Sequence, residues 1–521
     1  MIIELMRLPV ALLFGVTAWA QGAGGVGSRV CADCHAEIFR TYMRTGMAQS
    51  SGRAGSGSFV EKFPAGPVAD KSSGATYRIS RGDDSYRMQF DRPQVGVSGI
   101  RDLKWFIGSG NVGRSYVFAV DGFLFQAPVS YYSSVGRWDL SPGYAGKLNI
   151  DLGKPIEEPC LYCHASGAQP VAMTQNRYLD PPFLEGGIGC ERCHGSGEKH
   201  VKTHRDIVNP AKLDAARRDS ICQQCHLTGA ARVPRPGRGV GTFRPGDLLS
   251  DHVTVFVWDP ASGERAATDH TEQLARSKCK LASGDRLWCG TCHDPHSQPA
   301  PAGRVAFYRQ ACSGCHEQKG CKLNVQARAA AGDDCASCHM PKSRSREGEH
   351  VAYTDHTIAR RPGMHAEDRR EPKLRSFWRG SAEERDLAIA SASLGRAALP
   401  LLEKFRSSDD TPVLTQLGQL YDAMGKQDLA ESIYERVLRL DPSNAAAGAN
   451  LAIYRARKGR TSEAIALWQN VFSRNPALAG AGINLAVAQL GAGDRAAAER
   501  TVRQVLRFHP DSEALRRLLP K

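Results

Sequence analysis

One short pattern of cysteine and histidine occurs seven times in the first two-thirds of the chain. Each copy reads Cys-x-x-Cys-His. Two thiols at this spacing can each bond to a vinyl group of one porphyrin, while the histidine that follows binds the iron. The pattern therefore predicts seven covalently bound c-type haems. The thiols are those of Cys31, Cys34, Cys160, Cys163, Cys190, Cys193, Cys222, Cys225, Cys289, Cys292, Cys312, Cys315, Cys335 and Cys338, and the imidazoles are those of His35, His164, His194, His226, His293, His316 and His339.

Zinc is the alternative to haem, because paired Cys-x-x-Cys motifs also form zinc ribbons and fingers. A zinc site does not require a histidine directly after the second cysteine, and only 16 of the 521 residues are histidine. A histidine at that position in every copy favours haem. Cys279 and Cys321 fall outside the motifs, and the sequence is compatible with a disulfide between them or with two free thiols.

The amino terminus has the pattern of a secretory signal peptide. Arg7 precedes an apolar run from Leu8 to Thr17, and Ala18-Trp19-Ala20 offers small residues at a cleavage site. The run is too short to span a bilayer, and no later stretch reaches that length without charges. We therefore expect residues 1–20 to be removed and the mature protein to be periplasmic or otherwise extracytoplasmic.

The formal net charge of +14 needs an explanation. An excess of this size can indicate nucleic acid, an anionic membrane surface or a docking patch for a partner. Seven haems would bring up to about fourteen propionate carboxylates, for which arginine and lysine are the natural partners. Charge compensation is favoured over a basic docking patch, and nucleic-acid binding is not expected.

The stretch between the first and second motifs has the pattern of β-strands. Tyr77 and Ile79 alternate with polar residues, as do Met88 and Phe90, which predicts a hairpin. A second hairpin is predicted around Asp121-Gly122, a typical two-residue turn. We expect a small antiparallel sheet over about 56–140, packed against the haems.

A glycine-rich segment at 108–113 matches the fingerprint of dinucleotide sites. The fingerprint binds a pyrophosphate only where it opens a helix after a strand. Here a strand-like run, Ser115-Tyr116-Val117-Phe118, follows the glycines, so a turn beside the sheet is predicted instead.

The carboxyl-terminal part has an internal repeat of 34 residues, the period of tetratricopeptide repeats. Its anchors are the prolines 442, 476 and 510, the glycines 425, 459 and 493, the alanines 430, 464 and 498, and the leucines 417, 451 and 485. Three repeats are expected over about 412–509, with a helical cap from about 382 to 405. Such helix pairs stack into a solenoid suited to a protein partner, although a structural or self-association role is the alternative.

These observations predict a mainly α protein. A loop-rich multihaem cytochrome c domain with the β insertion spans 21–356, an arginine-rich linker spans 357–380, and the cap and repeats span 381–521. The length of 521 residues agrees with more than one domain.

Whether an iron carries electrons or performs chemistry depends on its sixth ligand. The histidines outside the motifs are at positions 200, 204, 252, 270, 296, 350, 356, 365 and 509, and the last belongs to the solenoid. Together with a few methionines, they are numerous enough to serve seven irons.

Three stretches of the sequence resemble a known group. They are Cys190 to His200, Cys289 to His296, and Cys335 to Pro341 with Thr354-Asp355-His356. In these stretches the chain is similar to multihaem cytochromes c related to hydroxylamine oxidoreductase and to the tetrahaem cytochrome of nitrifiers. The tandem with tetratricopeptide repeats resembles exported bacterial proteins.

The resemblance implies a set of distal iron ligands. His200 and His296 would each bind a haem other than the one whose motif they follow, and His270, His350 and His356 would be further ligands. Met47 would serve a haem with one histidine and one methionine, unless it only fills the core. His204 is the remaining candidate for a seventh ligand, ahead of His252 and His365.

Taken together, the sequence predicts an exported heptahaem cytochrome that transfers electrons along its haems. Its solenoid would dock a redox partner protein or a membrane electron-transfer complex. One alternative is an oxidoreductase that acts on a small nitrogen or sulfur compound at an open haem iron. Another is an assembly scaffold, which would not need haem. No catalytic residue is identified.

Overall fold

The computed structural model describes residues 25–56, 59–82, 84–261, 269–316, 321–345, 352–360, 371–378, 380 and 383–519. The predicted signal peptide and the candidate ligand His350 lie outside these residues. Within them, no helix is both long and apolar enough to cross a membrane.

The strands pair antiparallel throughout the described residues and form five sheets. They are β1 (Ser51–Arg53), β2 (Val68–Asp70), β3 (Ala75–Arg81), β4 (Tyr86–Arg92), β5 (Val97–Leu103), β6 (Trp105–Ile107), β7 (Gly113–Val120), β8 (Phe123–Tyr132), β9 (Arg137–Leu140), β10 (Ala165–Pro170), β11 (Tyr178–Gly186), β12 (Ala231–Pro234), β13 (Val253–Asp259), β14 (Lys342–Arg344), β15 (Ala352–Thr354) and β16 (Lys373–Ser376). The description "mainly α" is therefore only partly right, because β10 to β16 lie outside the predicted insertion. Most of these strands are short or lack regular alternation, so the sequence did not reveal them.

Two larger sheets form the β region between the first two motifs. One has the strand order β2-β3-β4-β5 and the other β1-β6-β7-β8-β9. Both predicted hairpins are confirmed: Ile79 lies opposite Met88, and Val120 lies opposite Phe123 across the Asp121-Gly122 turn. Side chains of both sheets share one hydrophobic core.

The glycine-rich segment 108–113 is the turn between β6 and β7, as predicted. Gly108 has a φ of +112°, and a Cβ atom there would lie 2.6 Å from the carbonyl oxygen of Gly113. Glycine is required at this close approach of two backbones. The segment does not open a helix, so it lacks the geometry of a dinucleotide site.

Glu61 lies within the core of the β region. Its carboxylate accepts hydrogen bonds from Tyr86 (3.1 Å), Tyr116 and Arg114 (3.1 Å). Burial alone would raise the pKa of Glu61, but the bonds from Tyr116 and Arg114 lower it below its usual value. The group is therefore a charged, hydrogen-bonded centre of this core.

Short helices carry the seven motifs. The helices before the solenoid are α1 (Ser28–Cys31), α2 (Ala36–Tyr42), α3 (Glu158–His164), α4 (Glu191–His194), α5 (Glu198–Thr203), α6 (Ala215–His226), α7 (His270–Arg276), α8 (Lys278–Ser283), α9 (Cys289–Cys292), α10 (Arg304–His316), α11 (Val325–Ala330) and α12 (Cys335–His339). Each motif lies in or directly beside one of α1, α3, α4, α6, α9, α10 and α12. A helical turn at each motif brings its two thiols and its histidine to one short segment.

The carboxyl-terminal part is helical, as predicted. Its helices are α13 (Glu384–Ser393), α14 (Leu399–Glu403), α15 (Thr411–Ala423), α16 (Gln427–Leu440), α17 (Ala445–Arg457), α18 (Thr461–Arg474), α19 (Ala479–Gly491), α20 (Arg495–Leu506) and α21 (Glu513–Arg516). The cap is two helices, α13 and α14, and the repeats are the pairs α15/α16, α17/α18 and α19/α20. The bulky repeat positions Tyr421, Tyr434 and Trp468 have no exposed surface.

Both ends of the solenoid contact the haem-motif part of the chain. At the first end, Asp386 of α13 accepts hydrogen bonds from Thr254 (2.5 Å) and Arg235 (3.1 Å). At the far end, the Phe508 ring lies 4.9 Å from that of Phe125, and Phe508 belongs to the core of the β region. The solenoid is therefore fastened at two places.

Part of the predicted linker 357–380 is also structured. Strand β16 pairs with β13, so that Ser376 lies opposite Phe256. The segment just before the solenoid thus completes a three-stranded sheet with β12 and β13 instead of forming a free connection.

Candidate haem-binding site

The thiols of all seven motifs are free of disulfides, as haem attachment requires. Cys279 and Cys321 are also unpaired. Burial raises the pKa of the Cys279 thiol, and the neighbouring charge that adds most to this effect is that of Cys315. The structure therefore shows two free thiols, one of the two arrangements that the sequence allowed.

The first motif histidine faces an imidazole from a distant part of the chain. The ring centroids of His35 and His200 are 6.3 Å apart, and the ring planes differ by 9°. A bond of about 2 Å between a metal and each imidazole nitrogen would place two opposed ring centroids about 6 Å apart. The gap between His35 and His200 thus fits one iron atom.

Two further motif histidines face a second imidazole at a similar distance. His194 and His296 have ring centroids 5.9 Å apart and planes 10° apart. The corresponding values for His293 and His356 are 6.2 Å and 30°. Both gaps fit an iron atom by the same criterion.

His226 and His270 form a fourth, closer pair. Their ring centroids are 5.4 Å apart, and the planes differ by 64°. His270 also lies 4.7 Å from His356, and the side chain of Gln273, on the same helix α7, accepts a hydrogen bond from the His356 amide (2.8 Å). These two contacts of α7 with His356 bring the surroundings of the fourth and fifth motifs together.

Backbone carbonyl groups orient several of these imidazoles. The Nδ1 atoms of His194, His200 and His356 lie 2.8, 3.1 and 2.7 Å from the carbonyl oxygens of Val208, Arg205 and Thr354, respectively. His339 makes the same contact with Ala359 at 2.7 Å. A carbonyl acceptor at Nδ1 fixes the ring and leaves Nε2 free for a metal.

Burial keeps the clustered imidazoles neutral. It lowers the pKa of His226 to about 4 and that of His270 to about 3, and the positive charges of neighbouring histidines add to the effect. A neutral imidazole has the free lone pair that metal binding needs. The Nδ1 atoms of His164 and His226 are buried without a hydrogen-bond partner.

Met47 lies beside the second motif. The hydroxyl group of Ser50 is 2.8 Å from the carbonyl oxygen of Met47 and 2.9 Å from that of His164. The two backbones are therefore held close together by one side chain.

Other candidate ligands are not brought opposite a motif histidine within the described residues. His204 is exposed at the end of α5, with a φ of +57°, and the ring of His316 is also exposed. His252 is buried, with Nδ1 2.7 Å from the Thr242 hydroxyl and Nε2 3.2 Å from Asp247. His350 and His365 lie outside the residues that the structure describes.

The structure brings together three residues that the sequence did not single out. Tyr162, Arg192 and Gln224 occupy the variable positions of the second, third and fourth motifs, and they contact one another. A signal was present: these three motifs carry large polar or aromatic residues where the first, fifth, sixth and seventh carry small or short ones.

None of the residues of helices α9 to α12 is buried by other parts of the protein, and the same holds for α4, α5 and α8. Three of the helices α9 to α12 carry haem motifs. A group as large and apolar as a porphyrin would cover these surfaces, so the residues present fit the cofactor that the motifs imply.

Comparison with known proteins identifies parts of the chain. Residues 280–320 match a family model described as a doubled CXXCH motif, and residues 144–195 match one described as cytochrome c554 and c-prime. Residues 411–444 and 455–520 match tetratricopeptide repeat models.

Similarity to individual proteins is more limited. The chaperone protein DnaJ of Bacillus cereus strain B4264 is 24% identical over 187 residues, which cover 31% of this chain and 46% of that protein. The protein from strain AH187 matches equally. This chain thus spans about half the length of these curated relatives.

Solved structures of MamA also match. A mutant form of MamA is 27% identical, with a TM-score of 0.24, and the match covers 26% of this chain and 81% of that one. MamA from Desulfovibrio magneticus RS-1 is 20% identical, with a TM-score of 0.23, and the match covers 25% and 77%. The family models, rather than these matches, support a multihaem c-type cytochrome joined to tetratricopeptide repeats.

Proposed function

We propose that this protein is an exported heptahaem cytochrome c that transfers electrons along a chain of haems. The observation that carries this proposal is the set of four imidazole pairs. In each pair, the histidine of a motif faces a histidine from another part of the chain. A haem iron bound by two protein ligands exchanges single electrons without binding a substrate.

We infer which histidines would hold four of the haems. His35 and His200 would bind the first haem, and His194 and His296 the third. The remaining two pairs are His226 with His270 for the fourth haem and His293 with His356 for the fifth. The protein's own role would be to hold three of these pairs at the spacing of one iron, to orient the rings, and to keep the closer pair of His226 and His270 neutral.

We infer that Met47 is the second protein ligand at the haem of His164. The support is the position of Ser50, whose hydroxyl contacts the backbones of both residues. Of the ligands predicted from the sequence, His350, which the resemblance implies, and His204, the remaining candidate, are then left for the haems of His316 and His339.

A second function is an oxidoreductase that acts on a small nitrogen or sulfur compound. One observation favours it: among the described residues, no imidazole lies opposite His316. An iron bound there without a sixth protein ligand would be open to a small molecule. The resemblance to cytochromes related to hydroxylamine oxidoreductase is also consistent with this second function.

The solenoid would bind a redox partner or a membrane electron-transfer complex, because tetratricopeptide repeats commonly bind proteins. Fixed contacts at both of its ends would hold a bound partner at a constant distance from the haems. Export through the signal peptide would place this exchange outside the cytoplasm. Self-association through the same repeats is the alternative role of the solenoid.

The test begins with protein made in bacteria that attach c-type haem. Seven haems by mass, a Soret band and only low-spin ferric signals in electron paramagnetic resonance would support the electron carrier. A high-spin signal from one iron would favour the oxidoreductase instead. Protein that carries no haem would overturn both functions.

A further inference from the structure

Three haem motifs are tied together by the side chains at their variable positions. Tyr162 of the second motif donates a hydrogen bond to Gln224 of the fourth at 2.8 Å. Gln224 donates to the carbonyl oxygen of Arg192, in the third motif, at 3.1 Å. Arg192 donates to the carbonyl oxygen of Tyr162 at 2.9 Å, and its guanidinium lies 3.8 Å from the Tyr162 ring centroid. The contacts form a closed ring, which we name the motif junction.

A second arginine lies at the motif junction. Both terminal nitrogens of Arg232 donate to the carbonyl oxygen of Gln224, at 3.2 and 3.3 Å. The Nε atoms of Arg192 and Arg232 are buried without a hydrogen-bond partner. Two cations are therefore held at one point where three motifs meet.

The hydrogen bonds of both arginines go to backbone carbonyl oxygens, those of Tyr162 and Gln224, and neither arginine forms an ion pair with a carboxylate in the part of the chain that the structure describes. The nearest acidic residue along the chain from Arg192 is Glu191, and it points elsewhere. Its carboxylate accepts hydrogen bonds from the backbone amides of Val26, Gly27 and Gly197, at 3.2, 3.1 and 2.7 Å. The charge at the motif junction is thus positive and uncompensated by protein.

The attachment sulfurs of two motifs meet at the same place. Cys163 and Cys225 lie within hydrogen-bonding contact, and both arginines act electrostatically on both thiols. In the haem-bearing protein these sulfurs would become thioethers, so Cys163 and Cys225 would hold two haems at the motif junction. The propionates lie at the opposite edge of a porphyrin, away from these sulfurs.

We propose that Arg192 and Arg232 raise the reduction potentials of the haems attached by the second and fourth motifs. This inference rests on the proposed function, since it requires haem at those motifs. Reduction adds one negative charge to a haem, and a fixed, partly buried cation nearby favours the reduced form. Electrons that enter the chain of haems would collect first at the motif junction.

The test measures potentials, not turnover. Arg192→Gln and Arg232→Gln each remove one charge, and a spectroscopic redox titration resolves the one-electron steps of the haem-loaded protein. In each variant we expect the reduction potentials of two of these steps to fall by about 59 mV. This fall is a tenfold change in the equilibrium constant of a one-electron step. The double variant should shift further.

Arg218→Gln is the matched control. Arg218 also lies over an aromatic ring, that of Trp288 at 4.5 Å, and it belongs to the helix of the fourth motif. It differs in being paired with Asp219 at 3.1 Å. Removing this charge should shift every step by less than about threefold, because Arg218 is not among the charged groups that act on the Cys163 and Cys225 thiols.

Arg192→Lys separates charge from packing. Lysine keeps the positive charge but loses the planar group that spans Tyr162. Potentials close to those of the parent protein would support the proposal, whereas a fall as large as that of Arg192→Gln would overturn it. Unchanged potentials in both glutamine variants, with full haem content, would overturn the proposal while leaving the proposed function intact. A parent protein without haem would overturn both.

Discussion

Two helices of equal length show how differently the two halves of this molecule are built. The solenoid helix α17 has 13 residues, and ten of them are buried by other side chains. Helix α10, which carries the sixth motif, also has 13 residues, and none is buried. Helix α17 therefore lies in an ordinary protein core. Helix α10 instead lies at a surface that other parts of the protein leave largely uncovered.

This difference in burial indicates what haem would contribute to folding. Burial of apolar side chains is the main stabilising term for a helix in a protein, and an isolated helix of this length is marginal in water. Helices α9 to α12 have little of that term, because their residues are at most half-buried. Haem would supply the missing apolar contact, so this region should gain its order from the cofactor, whereas the solenoid should not.

The strongest test of the comparison removes one haem. In the double variant Cys312→Ala with Cys315→Ala, we expect the mass to fall by one haem and α10 to become fully accessible to hydrogen exchange. Helix α17 should keep its protection, because its neighbours are side chains. Hydrogen exchange followed by mass spectrometry measures both helices in one sample.

Cys321→Ala is the control, since that cysteine lies outside the motifs. It should retain every haem. Equal protection of α10 and α17 from hydrogen exchange in the haem-depleted variant would contradict the claim that haem covers α10.

The next largest effect concerns the solenoid. Trp468 has no exposed surface, and Trp468→Ala should lower the free energy of unfolding of the repeats by about 3–5 kcal/mol. Met424→Ala is the control, because 52% of Met424 is exposed. Thermal unfolding followed by circular dichroism should show the loss, while the Soret band keeps its position. A shift of the Soret band would mean that the two halves are coupled more tightly than their packing indicates.

A smaller effect is expected in the β region, where Glu61 is held by Tyr86, Tyr116 and Arg114. Glu61→Gln should lower the free energy of unfolding by about 1–3 kcal/mol, because charge-assisted hydrogen bonds are lost. The folded-state pKa of Glu61 lies below its usual 4.5, so this stabilisation is complete above pH 4.5 and is lost as the pH falls through the lowered pKa. Denaturant titrations at neutral and acidic pH should therefore show a difference between parent and variant that shrinks in acid. An equal difference at both pH values would contradict this assignment.

The smallest spectral effect should come from His252. Both of its ring nitrogens lie beside Thr242 and Asp247, so we expect His252→Asn to leave the haem absorption and spin state unchanged. His200→Ala is the contrasting variant, and it should convert one low-spin iron to high spin. Electron paramagnetic resonance distinguishes the two results. A high-spin signal in His252→Asn would assign that residue to an iron.

Sequence reasoning succeeded where structure depends on local spacing. The 34-residue repeat predicts the helix pairs, because buried residues such as Tyr434 pack against near neighbours in the chain. The Asp121-Gly122 turn likewise predicts its hairpin from two residues. Such features need only the residues within one unit.

Features that depend on contacts between distant segments of the chain could not be predicted from the sequence. Nothing local indicates that His200 faces His35 or that Arg192 meets Tyr162, because these contacts join segments that are far apart in the chain. Strand β16 was missed for a related reason: its partner, β13, lies on the other side of three haem motifs.

The docking of Phe508 into the β region has a consequence for biosynthesis. Most of that core comes from residues 54–152, yet it also contains a side chain made almost at the end of translation. If the chain is exported as proposed, the core would reach its final packing only after residue 508 has crossed the membrane. During that interval the motifs on either side would stay accessible for haem attachment, so late packing of Phe508 would let haem insertion precede final compaction.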